Sequence, residues 1–109
     1  MLRYRTPLVM LAASLFVGST AFAQSNNPDF RLNNRTGITI QEVYVSSSRN
    51  ENWGRDRLGD HVLPSGQSLN IVLPAGQCTN DIRVVFESGA SQEKRNVNTC
   101  GITDFNFTR

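Results

Sequence analysis

The segment WGRDRLGD, residues 53–60, carries the chain's one tryptophan together with two glycines and four charges of alternating sign. An indole offers a flat apolar face for stacking, and charged side chains around it can orient a ligand by hydrogen bonds. The segment is therefore a candidate binding site for a glycan or a protein partner, although a role in folding is the favoured interpretation. Its candidate ligand-binding residues are Trp53, Arg55, Asp56, Arg57 and Asp60.

Two other interpretations of this segment remain open. In the first, Trp53 buries roughly 200 Å² and holds a long loop to the core, while the acidic side chains accept backbone bonds in turns. In the second, the segment binds calcium, which takes six to eight oxygen ligands, although the spacing lacks the regular alternation of a calcium loop. The oxygens would come from Asn50, Glu51, Asn52, Asp56 and Asp60. The exposure of Trp53 separates a binding site from a folding role.

The rest of the sequence holds no recognisable catalytic set. His61 is the only histidine, and no nucleophile motif surrounds it. A general base needs a positioned nucleophile, and a metal site needs further ligands. His61 is therefore interpreted as a half-exposed residue at the start of a strand. The carboxylates are scattered along the chain, so the sequence predicts a protein that is not an enzyme and uses no metal or cofactor.

The two cysteines, Cys78 and Cys100, predict a disulfide. An oxidising compartment makes this the default, and closing a loop of about 22 residues stabilises a fold by about 3 kcal/mol in the chain-entropy model. A thiol metal site would need more ligands than His61 supplies. The cysteines flank the clearest predicted hairpin, residues 82–86 and 93–99, and antiparallel pairing would bring both sulfurs to the same end.

The N-terminus predicts export. Arg3 and Arg5 precede a nearly apolar run at residues 8–17, and Ala21-Phe22-Ala23 follows, which is typical of a secretory signal peptide spanning residues 1–23. An apolar run of about 10 residues is too short for a hydrocarbon core roughly 30 Å thick, so no membrane anchor is expected after cleavage. The sequence predicts a periplasmic or secreted protein.

Removing residues 1–23 from the 109-residue chain leaves 86 residues, enough for one domain. Two of the 11 arginines and lysines leave with the signal, so nine cations face nine acids. This neutrality gives no support for nucleic acid or an anionic membrane as a partner. Residues 24–29 are polar and contain Pro28, which predicts a flexible N-terminus before a single domain at residues 30–109.

Short alternating apolar runs separated by glycine and proline turns predict an all-β fold, a small antiparallel β-sandwich of six to seven strands. No segment of the mature chain repeats apolar residues at helical spacing. The apolar phase shifts within residues 38–45, which predicts a β-bulge near Gln41 and Glu42, or burial of both faces. The predicted inward residues are Phe30, Leu32, Ile38, Ile40, Val43, Val45, Leu69, Ile71, Leu73, Ile82, Val84 and Phe86.

Five short motifs together resemble a family of small exported bacterial β domains. They are FxLxNxTG at residues 30–37, VYVS at 43–46, WGxDxLG at 53–59, LPxG at 63–66 and DIRVVF at 81–86. Members are mostly uncharacterised, and some are named as twin-arginine-signal proteins. The resemblance implies export and a compact β domain but no activity or catalytic residue. Here Tyr4 interrupts the arginine pair, which favours the general export route.

These observations predict an exported, non-enzymatic β-sandwich that acts as a periplasmic binding or interaction module. Its ligand would meet the segment around Trp53 or an exposed sheet edge. The alternative is a structural or envelope-associated accessory protein that has no small-molecule ligand.

Overall fold

The computed structural model describes residues 25–109, so the predicted signal peptide lies outside the described residues. Six strands and one 3-10 turn, Thr99–Gly101, make up its regular structure. The strands are β1 (Phe30–Arg35), β2 (Ile40–Ser47), β3 (Ser68–Ile71), β4 (Thr79–Phe86), β5 (Ser91–Asn98) and β6 (Asp104–Thr108). Within these residues no helix has the length and hydropathy that a membrane span needs.

The strands form two three-stranded sheets, with the orders β3-β1-β6 and β2-β4-β5. This arrangement and the disulfide confirm the predicted fold class of a small all-β sandwich. Three of the four strand pairs are antiparallel, whereas β1 and β6 are parallel. The difference arises because the 3-10 turn after β5 carries the chain from one sheet to the other, so β6 runs beside β1 in the same direction.

The core lies between the two sheets and is filled by alternating residues of the strands. The predicted inward residues are buried, with the exceptions of Ile38 and Leu69, which are half-buried against the core. Leu58, Leu63 and Phe107 complete the core and were not among the predicted residues. Leu63 belongs to no named strand, because it pairs only with Ile40 in an isolated bridge.

The predicted bulge in β2 is confirmed. The pairing of β2 with β4 shifts register between Ile40 and Glu42. An extra residue reverses the side-chain alternation beyond it. Ile40 and Val43 consequently both face the core, although they stand at opposite parity in the sequence.

Asn34 fixes the connection between β1 and β2 from the inside. Its side chain is fully buried and its Nδ2 donates to the carbonyls of Ile38 and Leu63, each at 2.8 Å. Its Oδ1 accepts from the N–H of Thr36 at 3.1 Å and from the hydroxyl of Thr36 at 2.6 Å. A buried amide is stable only with such partners, and these bonds hold Leu63 beside the start of β2.

The predicted disulfide is present between Cys78 and Cys100, with the two Cα atoms 5.0 Å apart. It joins the start of β4 to the 3-10 turn after β5. The N–H of Thr99 donates to the carbonyl of Cys78 at 2.8 Å beside it. Asn80, which is fully buried, donates through Nδ2 to the Thr99 hydroxyl at 3.0 Å. Covalent and hydrogen bonds therefore close this end of the sheet together.

Residues 25–29, the described part of the segment 24–29 that is predicted to be flexible, lie against the connection between β3 and β4. Pro28 is fully buried. The Asp29 carboxylate accepts from the N–H of Leu73 at 2.8 Å, and the carbonyl of Asn26 accepts from the N–H of Gly76 at 2.9 Å. These contacts place the segment beside the disulfide end of the sandwich.

Candidate functional site

The Trp53 loop, residues 48–62, follows β2 and lies along the edge of β2 that does not pair with β4. It contains no strand or helix. Leu58 enters the core, where its side chain is only 6% exposed. The loop is therefore anchored to the sandwich by an aliphatic residue in its second half.

Asp56 and Arg57 supply the backbone of β2 with the partners that a neighbouring strand would otherwise give. One carboxylate oxygen of Asp56 accepts from the N–H groups of Val43 and Leu58, both at 2.9 Å. The N–H of Arg57 donates to the carbonyl of Val43 at 2.7 Å. An uncovered edge would expose unpaired backbone groups, so these two residues of the loop stabilise the sheet.

The Arg57 guanidinium also links the two sheets. It donates to the carbonyl of Val45 at 3.3 Å in one sheet and to that of Val72 at 3.2 Å just beyond β3. Burial, and then the neighbouring charge of Arg55, lower the pKa of Arg57. An arginine remains protonated at physiological pH despite such a shift, so the planar group can keep both contacts.

Trp53 lies outside the core and is half-buried. The guanidinium carbon of Arg95 lies 4.9 Å from the centroid of its ring. This distance is typical of a cation–π contact, in which the cation is attracted by the electron-rich face of the indole. Trp53 is therefore positioned by an arginine of β5, and Leu58 takes the role in loop anchoring that the folding hypothesis gives to Trp53.

Arg95 is held in turn by two carboxylates. It donates to Asp81 at 3.0 Å and to Glu93 at 2.7 Å. The other oxygen of Asp81 accepts from the Ser48 hydroxyl at 2.7 Å and from the N–H of Asn96 at 2.9 Å. Asp81 thus connects β4 to β5 and to the first residue of the Trp53 loop.

The hydrogen bonds of Asp81 set its acidity. Burial alone raises the pKa of Asp81, whose residue is only 4% exposed. Donation by Ser48, by the Asn96 N–H and by Arg95 outweighs burial and leaves the pKa below its ordinary value. A depressed folded-state pKa adds stability that is present above the unfolded value, about 3.9, and is lost as the pH falls through the folded value.

Asp81→Asn is expected to reduce the acid sensitivity of the protein. The melting temperature of the unmodified chain should fall steeply below about pH 4, and its advantage over Asp81→Asn should shrink there. Thermal unfolding between pH 7 and 2, followed by circular dichroism, measures both. Asp60→Asn is the control, because Asp60 is exposed and makes no hydrogen bond or ion pair to residues 25–109. An unchanged advantage at pH 2 would contradict the prediction.

Two neighbouring clefts form a groove beside the loop, here called the Trp53 groove. A cleft of about 250 Å³ is lined by Trp53 and a larger one of about 670 Å³ reaches the disulfide end of the sandwich. Ser47 and Gln77 line both clefts. The other polar groups along the groove include the hydroxyl of Ser46 and the amides of Asn50, Asn52 and Asn96.

The Trp53 groove has a one-sided charge. Arg49, Arg55 and Arg57 line it, and no aspartate or glutamate is among its lining residues. Residues 25–109 as a whole are balanced, with nine cations and nine acids. The positive charge of the groove therefore comes from the placement of the side chains and not from composition, and it favours a ligand that carries anionic groups.

The structure separates the five candidate ligand-binding residues into two groups. Trp53, Arg55 and Arg57 line the groove. The Asp56 carboxylate is bound to backbone N–H groups, and Asp60 does not line the groove. Arg49, Gln77 and the Arg95 contact to Trp53 escaped the sequence analysis. No motif marks them, because they lie outside the tryptophan segment. Arg49 precedes it in the same loop, and the pairing of β2, β4 and β5 brings Gln77 and Arg95 to it.

Two of the five residues of the calcium hypothesis have their side-chain oxygens bound to backbone donors in this structure. Asn50 Oδ1 accepts from the N–H of Asn52 at 3.0 Å, and Asp56 Oδ1 accepts two backbone donors. Across residues 25–109, no three side chains of His, Cys, Asp or Glu cluster as metal ligands.

Comparisons of the chain with protein-family models, curated proteins and solved structures found no match. The resemblance to a family of exported bacterial β domains therefore stays a prediction.

Proposed function

We propose that this protein is an exported, non-enzymatic binding module whose Trp53 groove takes a glycan bearing anionic groups. The observation that carries the proposal is the composition of the groove, which combines an indole, amides, hydroxyls and three arginines without a carboxylate. The predicted signal peptide and the disulfide support a periplasmic or secreted location, since disulfides persist in oxidising compartments.

Each component of the groove has a counterpart in an acidic sugar chain. The apolar C–H face of a sugar ring can stack on the part of Trp53 that lines the groove, and the amides of Asn50 and Asn52 can bond to its hydroxyl groups. A guanidinium binds a carboxylate or sulfate through two parallel hydrogen bonds. Arg49 and Arg55 are exposed and have no ion pair within residues 25–109, so their donors are free for a ligand.

The proposal does not include catalysis. Ser46, Ser47 and Ser48 lie at the groove, but His61 does not line it. A serine nucleophile needs a base within hydrogen-bond reach. The groove residues are therefore assigned to recognition, and the ligand is expected to leave unchanged.

Fluorescence of Trp53 tests the proposal. We expect acidic oligosaccharides, namely galacturonan, alginate and chondroitin sulfate fragments, to shift or quench the emission of the mature protein in a saturable titration. Added salt should weaken the binding, because exposed charge pairs are screened. At least one acidic fragment should bind about tenfold more tightly than a neutral galactan fragment of the same length.

Matched arginine variants localise the effect. Arg55→Gln and Arg49→Gln should each weaken binding about five- to tenfold, whereas Arg35→Gln on the other sheet should leave it unchanged. Equal binding of the acidic and neutral fragments, or no emission change with any acidic fragment, would overturn the proposal.

The alternative function is that of a structural or envelope-associated accessory protein without a small-molecule ligand. The use of Asp56, Arg57 and Leu58 inside the fold favours it, because half of the tryptophan segment stabilises the sandwich. Under this alternative, the unmodified chain and the Trp53→Ala variant should sediment with isolated envelopes equally well. Loss of sedimentation in Trp53→Ala would favour the binding module.

A further inference from the structure

The four sheet edges of the sandwich are protected to different degrees. The edge of β2 is covered by Asp56 and Arg57, and β3 has only four residues. On β5, Lys94 stands opposite the buried Ile82 and Asn96 has a positive φ of 56° beside a register shift. Inward-facing charge, bulges and shortness all discourage pairing with another chain. The strand β6, DFNFT, has none of these devices except its modest length.

The outer side of β6 is unpaired within residues 25–109. The N–H of Arg31 donates to the carbonyl of Thr103 at 2.9 Å, and Arg31 stands opposite Asp104 in the parallel pair. In a parallel pair, a residue bonds to the residues just before and just after the one that stands opposite it. Arg31 therefore bonds to the neighbours of Asp104 and not to Asp104 itself. Phe105 and Phe107 therefore face β1 with their backbone groups. Because the direction of the backbone groups alternates along a strand, the N–H and C=O groups of Asp104, Asn106 and Thr108 face the open side.

We propose that this chain forms a two-fold homodimer by antiparallel pairing of β6 with β6 of a second copy, centred on Asn106. In this register Asn106 stands opposite the partner's Asn106, and Asp104 stands opposite the partner's Thr108. Each of the three residues whose backbone groups face the open side then stands opposite such a residue of the second copy. Every outward N–H and C=O of the strand therefore has a hydrogen-bond partner. A two-fold contact of this kind closes after two copies and leaves no free β6 edge.

The side chains of β6 fit a second copy of the same strand. The register brings Phe105 against the partner's Phe107 on the inner face, at the close, non-hydrogen-bonded positions of an antiparallel pair. Phe105 is half-buried in the single chain and packs edge-on to Phe107, with ring centroids 5.3 Å apart. The second copy would cover the exposed part of Phe105, whereas Phe107 is already fully buried within its own chain.

The charges of the outer face also favour the antiparallel second copy. Asp104 is paired with Arg31 at one end of the β1–β6 pair, through its Oδ1 at 2.6 Å, and Arg35 stands opposite Thr108 at the other end. Antiparallel pairing places Asp104 of one copy near Arg35 of the other, as a second cationic neighbour for the same carboxylate. Parallel pairing would set Asp104 against the partner's Asp104, and like charges directly opposite are destabilising.

The dimer is expected to be weak, because a five-residue strand covers less surface than a standard stable interface. We expect a dissociation constant on the order of 10 to 100 μM. The Trp53 groove borders β2, in the sheet that does not contain β6. A dimer would leave both grooves open, and two grooves can engage one polymeric ligand with increased avidity.

Sedimentation equilibrium of the mature protein tests the dimer. Asn106→Lys places two like charges at the two-fold axis and should raise the dissociation constant at least about tenfold. Asn70→Lys is the control at the other edge of the same sheet, where Asn70 is exposed on β3. It should leave the dissociation constant unchanged. Asn106 differs from Asn70 in accepting hydrogen bonds from Asn33 and Arg35, so the stability of both variants is compared as well. A native circular dichroism spectrum shows that each variant is folded.

Cysteine cross-linking tests the register. A hydrogen-bonded antiparallel pair has Cα atoms about 5.5 Å apart, within the range that a disulfide spans. Asn106→Cys should therefore give a covalent dimer under mild oxidation, and Asn70→Cys should remain a monomer. The proposal would be overturned by a monomeric protein at about 1 mM, by equal weakening in both lysine variants, or by equal cross-linking in both cysteine variants.

Discussion

Leu58→Ala is expected to lower the free energy of unfolding by about 3 to 4 kcal/mol, whereas Trp53→Ala should lower it by only about 1 to 2 kcal/mol. Leu58 is 6% exposed within the core, and its truncation leaves a cavity that the two rigid sheets cannot close. Trp53 is half-buried outside the core and loses mainly its contact with Arg95. The smaller side chain is thus expected to have the larger effect.

Urea unfolding followed by circular dichroism measures both changes. Val62→Ala is the control within the same loop, since Val62 is 48% exposed and should change stability by less than about 0.5 kcal/mol. In Leu58→Ala the loop should also detach before global unfolding. Emission from Trp53 would then shift to longer wavelength at lower urea than the ellipticity changes. A larger loss for Trp53→Ala than for Leu58→Ala would show that the indole is the anchor.

The sequence allowed the core of the sandwich to be predicted because alternation records which side of a strand meets the other sheet. The phase change between Ile40 and Val43 even located the bulge. The alternation of apolar and polar residues along a strand does not show which strand lies next to it in the sheet. The parallel position of β6 beside β1 depends on the path of the chain through Thr99–Gly101, and no local pattern specifies that path.

The candidate site was predictable only in part for a similar reason. The tryptophan segment was found because unusual residue types are adjacent in the chain, but the roles of its members depend on distant partners. Arg57 reaches Val45 and Val72, and Trp53 meets Arg95. Arg95 lies at the register shift between β4 and β5, where the Asn96 N–H also donates to Asp81. Such contacts join residues that are far apart in the chain, so they become visible only when the pairing of the strands is known.

Reduction of the Cys78–Cys100 disulfide is expected to lower the free energy of unfolding by about 3 kcal/mol. The bond closes a loop between residues 22 positions apart, which restricts the unfolded chain. For a domain of this size the loss corresponds to a fall in melting temperature of roughly 12 to 24 °C. The folded state should survive reduction at room temperature, because the Thr99–Cys78 and Asn80–Thr99 hydrogen bonds hold the same junction.

Thermal unfolding with and without a reductant measures the effect, and the Cys78→Ser/Cys100→Ser double variant should melt at the lower temperature in both conditions. Trp53 emission should stay unchanged on reduction well below the transition, because Arg95 is held by Asp81 and Glu93 and not by the disulfide. Ligand binding is expected to respond differently. Cys78 lines the larger cleft, so loosening this end should weaken an extended glycan more than a short one. A melting temperature that is insensitive to reductant would mean that the hydrogen bonds alone close this end of the sandwich.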